Sequence, residues 1–233
     1  MARKASGDAS GRDPLPVALI TLTAITGVVD AVSYLGLGGV FTAFMTGNLL
    51  FLGFAAAGGG LEPAASLTAL AAFVLGASVG SRIGAAMAAE RRRWLLTSAA
   101  TVSVLITAAA LCGLGLQPVA ESPSPRHYAV IALTAAAMGV RSATVRRLGA
   151  PLNTTLVTFT LVSLLMDSSL GKGTGHPEQK HRLLAVIAVF VGGAIGTLLL
   201  QVGLTLPLLV AAAGSLGTIA VYLAHPASRR PPT

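Results

Sequence analysis

Two charged residues, Asp30 and Arg141, stand inside long apolar runs of a 233-residue chain. An ionised side chain removed from water needs a partner or a role, because an isolated buried charge is costly. Asp30 lies about 15 residues into its run, and Arg141 occupies nearly the matching place in a later one. The two are therefore expected to pair, or to face each other across a polar cavity. Neutral polar residues form a second group. Thr46-Gly47-Asn48 interrupts the apolar stretch FTAFMTGNLLFLG, and Asn153, Thr154, Thr155 and Thr158 interrupt a later one. Hydroxyls and amides in such places replace water around a small solute or ion, or satisfy backbone groups freed at a helix break. With Tyr34, these residues make up the candidate substrate-binding or permeation site.

The elements that must carry them are transmembrane helices. Hydrophobic side chains make up 54% of the sequence and charged ones 10%, with a mean hydropathy of +0.78. A soluble domain of this size needs far more polar surface. Apolar segments fall at about 15–37, 40–58, 65–89, 94–116, 128–145, 151–169, 183–203 and 205–224. About 20 apolar residues cross a hydrocarbon core of about 30 Å, so the chain reads as an all-α polytopic bundle. The net charge of +8 does not point to nucleic acid, because the basic residues sit in short connections between apolar runs. Cys112 has no partner cysteine and reads as a packing residue. His176 and His181 flank a solvated loop rather than a metal set. No nucleophile stands with a base, no glycine loop suits a phosphate, and no paired carboxylates occur. The chain is expected to be neither an enzyme nor a cofactor binder.

An internal repeat divides the chain. At an offset of 112, residues 27–49 align with 139–161 and share Gly27/Gly139, Val28/Val140, Ala31/Ala143, Thr42/Thr154, Thr46/Thr158 and Leu49/Leu161. Ala72, Gly76, Gly80, Gly84 and Ala88 form a stripe of small residues on the third segment. Ala188, Gly192 and Gly196 repeat it on the seventh, four residues later than the offset requires. Such stripes let helix backbones approach closely in lipid. The expected organisation is a disordered cytoplasmic N-terminus at 1–14, a first repeat at 15–117, a linker at 118–126, a second repeat at 127–224 and a cytoplasmic tail at 225–233.

Charge then selects a topology. If all eight segments cross, Arg3, Lys4 and Arg12 lie opposite Arg91-Arg92-Arg93, against the tendency of basic residues to stay cytoplasmic. If 40–58 and 151–169 enter and return, every basic cluster falls on one side and Glu121 on the other. That arrangement has six crossings, two re-entrant or broken segments, and two halves inverted relative to each other. Seven or eight full crossings form the alternative. Trp94 beside Arg93 reads as an interfacial anchor, and Arg82 as a residue snorkelling at its helix end.

The pattern Gly27-x-x-Asp30-Ala31-x-Ser33-Tyr34-Leu35, then Val40-Phe41, then Met45-Thr46-Gly47-Asn48, resembles the YoaK family of small bacterial membrane proteins bearing a domain of unknown function. The resemblance covers about residues 15–224. Thr154-Thr155-Leu156-Val157-Thr158 shares it, with Phe159 where the family is expected to have Gly. It implies a multi-pass protein of the bacterial cytoplasmic membrane and implies no substrate. The residues themselves support a permease for an unknown small solute or ion, with the lipid bilayer as its surroundings. A non-transporting scaffold or accessory subunit is the alternative, and a homo-oligomer stays open.

Overall fold

Six helices long and apolar enough to cross a membrane, and one that is too short, make up the described chain. This computed structural model describes residues 14–119, 123–148 and 179–225, together with residue 162. The helices are α1 (Leu15–Gly36), α2 (Met45–Ala56), α3 (Ala64–Ala86), α4 (Arg91–Cys112), α5 (Pro125–Arg147), α6 (Gln179–Leu200) and α7 (Thr205–Ala224). The protein is an all-helical polytopic membrane bundle. Prolines mark several starts: Pro14 and Pro63 precede α1 and α3, and Pro125 opens α5. In those places a missing N–H costs nothing, since the first turn of a helix leaves it unpaired anyway. The exit of α1 runs through Gly38 and Gly39, at φ +97° and +72°, where a side chain would be strained.

One end of the bundle collects the basic residues. Arg91 Nη2 donates to Tyr222 Oη at 3.2 Å, and the Arg147 guanidinium lies 5.8 Å from the centre of the Trp94 ring. Ala18 joins Trp94, Leu95, Tyr222 and Leu223 in one buried cluster there. The start of α1, the start of α4, and the ends of α5 and α7 therefore share this end. At the far end, the Val119 N–H donates to the Gly36 carbonyl at 3.1 Å. Tyr34, Gly39, Gly60, Glu62, Val119 and Tyr128 line one cavity there. Hence the chain leaves α1 and enters α3 at the same end, and α2 does not cross. Its 12 residues make about 18 Å at 1.5 Å per residue, roughly three fifths of the ~30 Å that a crossing needs. The same geometry makes α1 and α5 antiparallel, as inverted halves require.

The halves interdigitate. α1 packs along α6, and α3 along α5, so the first helix of each half lies on a later helix of the other. The glycine stripes form both contacts. A Cβ on Gly76 would collide with the Ala136 backbone, and one on Gly192 with the Ala24 backbone. One turn on, a Cβ on Gly80 would meet Val140 O at 2.8 Å, and one on Gly196 would meet Val28 O at 2.8 Å. Ala24 and Ala136 are 112 residues apart, as are Val28 and Val140, so the two interfaces repeat residue for residue. In lipid, where apolar tails provide little drive for helix association, such backbone proximity is a main source of packing energy.

Three local readings change or gain detail. Trp94 is buried beneath Arg147 rather than presented at the lipid interface, because α1 and α7 close over it. Arg82 is exposed in the last turns of α3, and Cys112 packs partly buried against the core. Residues 1–13 and 226–233 lie outside the described residues.

Two outcomes are expected. Gly192→Val should destabilise the bundle by about 1–3 kcal/mol or more in a detergent unfolding assay, whereas Gly53→Val, where a Cβ meets nothing within 4 Å, should cost far less. In a Cys112→Ala background, cysteines replacing Leu61 and Gln117 should label from one side of the membrane. A cysteine replacing Arg92 should label from the other, together with an N-terminal tag. A crossing α2 would place the tag with Leu61 instead.

Candidate functional site

Asp30 sits six residues, about 9 Å, before the end of α1 at the 1.5 Å helical rise, on a buried face. The chain after α1 turns back toward it. Asp30 Oδ1 accepts the Thr42 N–H at 2.9 Å, the Ala43 N–H at 2.9 Å and the Thr42 hydroxyl at 3.3 Å. Phe44 and the start of α2 follow directly. The carboxylate thus meets the backbone donors just ahead of a helix N-terminus, where a negative charge is favoured. Asp30 Oδ2 is buried and has no hydrogen-bond partner.

Asn48 closes the same loop from the other side. Its Oδ1 accepts the Phe41 N–H at 3.0 Å, and its Nδ2 donates to the Phe41 carbonyl. A carboxamide is the side chain that both donates to and accepts from one peptide unit. Asn48 is fully buried and is the one residue of α2 that is. Phe41 stacks on Tyr34, with ring centres 4.9 Å apart, and lies 6.2 Å from Phe51. A Cβ on Gly47 would meet the Phe41 ring at 2.8 Å, so the glycine of the knot makes room for that ring. Thr46 is exposed, and Tyr34 is 43% exposed. The polar knot is therefore a clasp around a re-entrant turn, with Asn48 engaged by backbone rather than open to a passing solute.

Arg141 is buried on α5. Its Nη2 donates to Thr26 Oγ1 at 2.9 Å, and its Nη1 lies 3.8 Å from Met138 Sδ. Thr26 in turn donates to the Leu22 carbonyl at 3.0 Å. The expected direct pairing of Asp30 with Arg141 is corrected here: the ion pair found among the described residues is Arg93–Glu90, at 3.6 Å on the surface. Asp30 turns its Oδ1 to the loop, and Arg141 is held by Thr26, one turn of α1 nearer the basic end. Thr26 and Asp30 stand four residues apart on α1, so Arg141 is held on the face of α1 that carries Asp30.

Asn153, Thr154, Thr155 and Thr158, the expected second knot, lie outside the described residues, as do His176 to Glu178. Gln179, Lys180 and His181 form the start of α6 instead of a loop. Sequence reasoning missed Thr26, whose hydroxyl had no mark to separate it from other helical threonines. It also missed the Phe41, Thr42 and Ala43 peptide groups, which carry no side-chain signature. The fold and site define a class: a multi-pass helical membrane protein with inverted, interdigitated halves and a re-entrant helix anchored on a buried carboxylate.

A family model described as "Protein of unknown function (DUF1275)" matches residues 18–222, and the chain belongs to that family. It is 34% identical over 188 residues to the UPF0700 transmembrane protein YoaK of Bacillus subtilis (strain 168), across 77% of this chain and 80% of that relative. No solved structure matches it significantly.

The clasp leads to an ordered set of stabilities. Asp30→Ala strands buried N–H groups and should cost about 2–5 kcal/mol in unfolding assays. Asp30→Asn keeps an oxygen acceptor and should cost clearly less. Asn48→Leu, which abandons both Phe41 bonds, should resemble Asp30→Ala. Equal stability of all three variants and wild type would show that the loop is not held this way.

Proposed function

We propose that the protein is a permease for a small solute or ion, lying in the bacterial cytoplasmic membrane with its basic end and both termini in the cytoplasm. The observation that carries this reading is the pair of opposite charges buried between the inverted halves without an ion pair. A purely structural pair gains most by direct contact, because each charge left alone keeps its desolvation cost. Asp30 instead holds the tip of a re-entrant helix with one oxygen and leaves the other free. Re-entrant or broken helices, inverted repeats and polar centres near mid-membrane occur together in transporter folds. Non-helical backbone at that depth is tolerated where protein buries it or where it lines a water-filled cavity.

The basic clusters support the orientation: Arg91 to Arg93 and Arg146-Arg147 share one end, and such residues gather on the cytoplasmic side. Ionisable residues inside a membrane mark pathways by default.

Asp30→Asn provides the test, because it preserves the loop acceptor and removes the charge. Reconstituted wild type should move solute in a liposome flux screen, and Asp30→Asn should move it at least about tenfold more slowly at comparable unfolding temperature. Undiminished flux by the Asn variant would remove Asp30 from the pathway. Absence of flux for all solutes, with a fixed co-purifying membrane partner, would favour a scaffold.

A further inference from the structure

At the end of the bundle away from the basic clusters, α1, α2, α3 and α5 surround a cavity of about 450 Å³, lined by Tyr34, Phe51, Glu62, Ser66 and Tyr128 among others. We propose that this cavity is a binding site for a small organic cation bearing an alkylammonium group, held by the Glu62 carboxylate and the rings of Tyr34, Phe51 and Tyr128. The proposal deepens the permease reading by naming a class of ligand, and it rests on that reading for transport but not for binding.

The rings and the carboxylate carry the inference together. Three rings from three helices meet at one cavity, whereas the aromatic residues of an interfacial belt spread around the lipid face. Two of the rings are fixed in advance. Tyr34 stacks on Phe41 with ring centres 4.9 Å apart, and Phe51 stacks on Phe41 at 6.2 Å. The Phe41 peptide is itself gripped by Asn48. Tyr128 is partly buried and packs against the core. Rings ordered before a ligand arrives lose little freedom on binding it. The clasp of the re-entrant turn thus also builds a wall of the cavity.

Charge selects the ligand. Glu62 is the charged residue of the lining; it is exposed and makes no ion pair among the described residues. The basic residues described at this end are engaged elsewhere. Arg126 Nη2 donates to the carbonyls of Cys112 and Leu114, at 2.8 Å each. His127 Nδ1 accepts the Ser124 N–H at 3.1 Å, and its Nε2 lies 2.9 Å from the Gln117 carbonyl. An anion would meet a carboxylate and the negative faces of aromatic rings, so it is repelled. A metal ion is poorly served, because Mg²⁺ and Ca²⁺ collect several oxygen ligands and one carboxylate lines the cavity.

An alkylammonium ion suits both parts of the lining. Its charge is drawn to the carboxylate and the ring faces, and its carbon atoms to the apolar walls. The volume agrees: one water needs about 10–15 Å³, so about 450 Å³ has room for a whole organic cation. A soluble amine and the ammonium headgroup of a lipid share this chemistry.

The test uses radiolabelled choline and the purified full chain in phosphatidylglycerol nanodiscs. Binding above that of empty nanodiscs should saturate. Tetramethylammonium should displace the label, whereas sodium at the same ionic strength and the neutral isostere dimethylbutanol should not. Glu62→Gln, at an exposed position ahead of α3, should weaken binding about fivefold or more at unchanged unfolding temperature. Tyr34→Leu should weaken it about two- to fivefold, and Phe51→Leu reads the same wall if the loss of Tyr34 disturbs the turn. In a Cys112→Ala background, choline should protect a cysteine replacing Leu61, which lines the cavity, from an impermeant maleimide. A cysteine replacing Gln117 should stay unprotected. No saturable binding by wild type overturns the site, and so does undiminished binding by Glu62→Gln or equal displacement by dimethylbutanol. Choline binding that disappears in phosphatidylethanolamine nanodiscs assigns the site to a lipid headgroup, and equal binding in both assigns it to a soluble cation. Choline flux into liposomes separates the two proposals. Binding without flux of any solute leaves the cation site and removes the permease, whereas flux of another solute without choline binding does the reverse.

Discussion

Backbone N–H and C=O groups at membrane depth cannot turn to water, and the interruption between α1 and α2 creates a short run of them. The chain meets this constraint with two side chains. Asp30 takes the N–H groups of Thr42 and Ala43, and Asn48 takes both polar groups of Phe41. The position of α2 depends on these bonds more than on packing, since Asn48 is its one buried residue. Apolar residues on its remaining surface, such as Leu49, Leu50 and Phe54, are exposed, which suits lipid but provides no specific anchorage. The aromatic contacts of Phe41 with Tyr34 and Phe51 then fix the direction in which the loop turns.

The second constraint is the closeness of backbones along the two glycine seams. Because α1 of one half rests on α6 of the other, and α5 on α3, neither half presents a finished surface alone. Asp30 and Arg141 sit on the two helices, α1 and α5, that begin these exchanged contacts. Neither charge lies in a seam: Asp30 bonds the Thr42–Ala43 turn and Arg141 bonds Thr26, while Ala24, Val28, Ala136 and Val140 make the close backbone contacts.

Polar groups also follow a line across the membrane. It runs from Arg141 to Thr26, then Asp30, and then the Thr42–Ala43 turn.

Much of this was legible in the residues themselves. Apolar run lengths set the class, since bilayer thickness leaves little choice of element. Glycines four apart, together with the offset of 112, announced the duplicated seams, because close backbone approach requires small side chains at helical spacing. The positive charges disfavoured a crossing by 40–58, and Asp30 and Asn48 stood out as polar residues in apolar surroundings. Tertiary structure alone decided their partners. Peptide groups at Phe41, Thr42 and Ala43 look like any others until a chain reversal brings them to a carboxylate, so a salt bridge to Arg141 seemed the natural remedy for Asp30. Thr26 was equally silent, because a helical hydroxyl that bonds its own backbone looks like any other in the sequence. Only the packing of α5 beside α1 brings the Arg141 guanidinium to it.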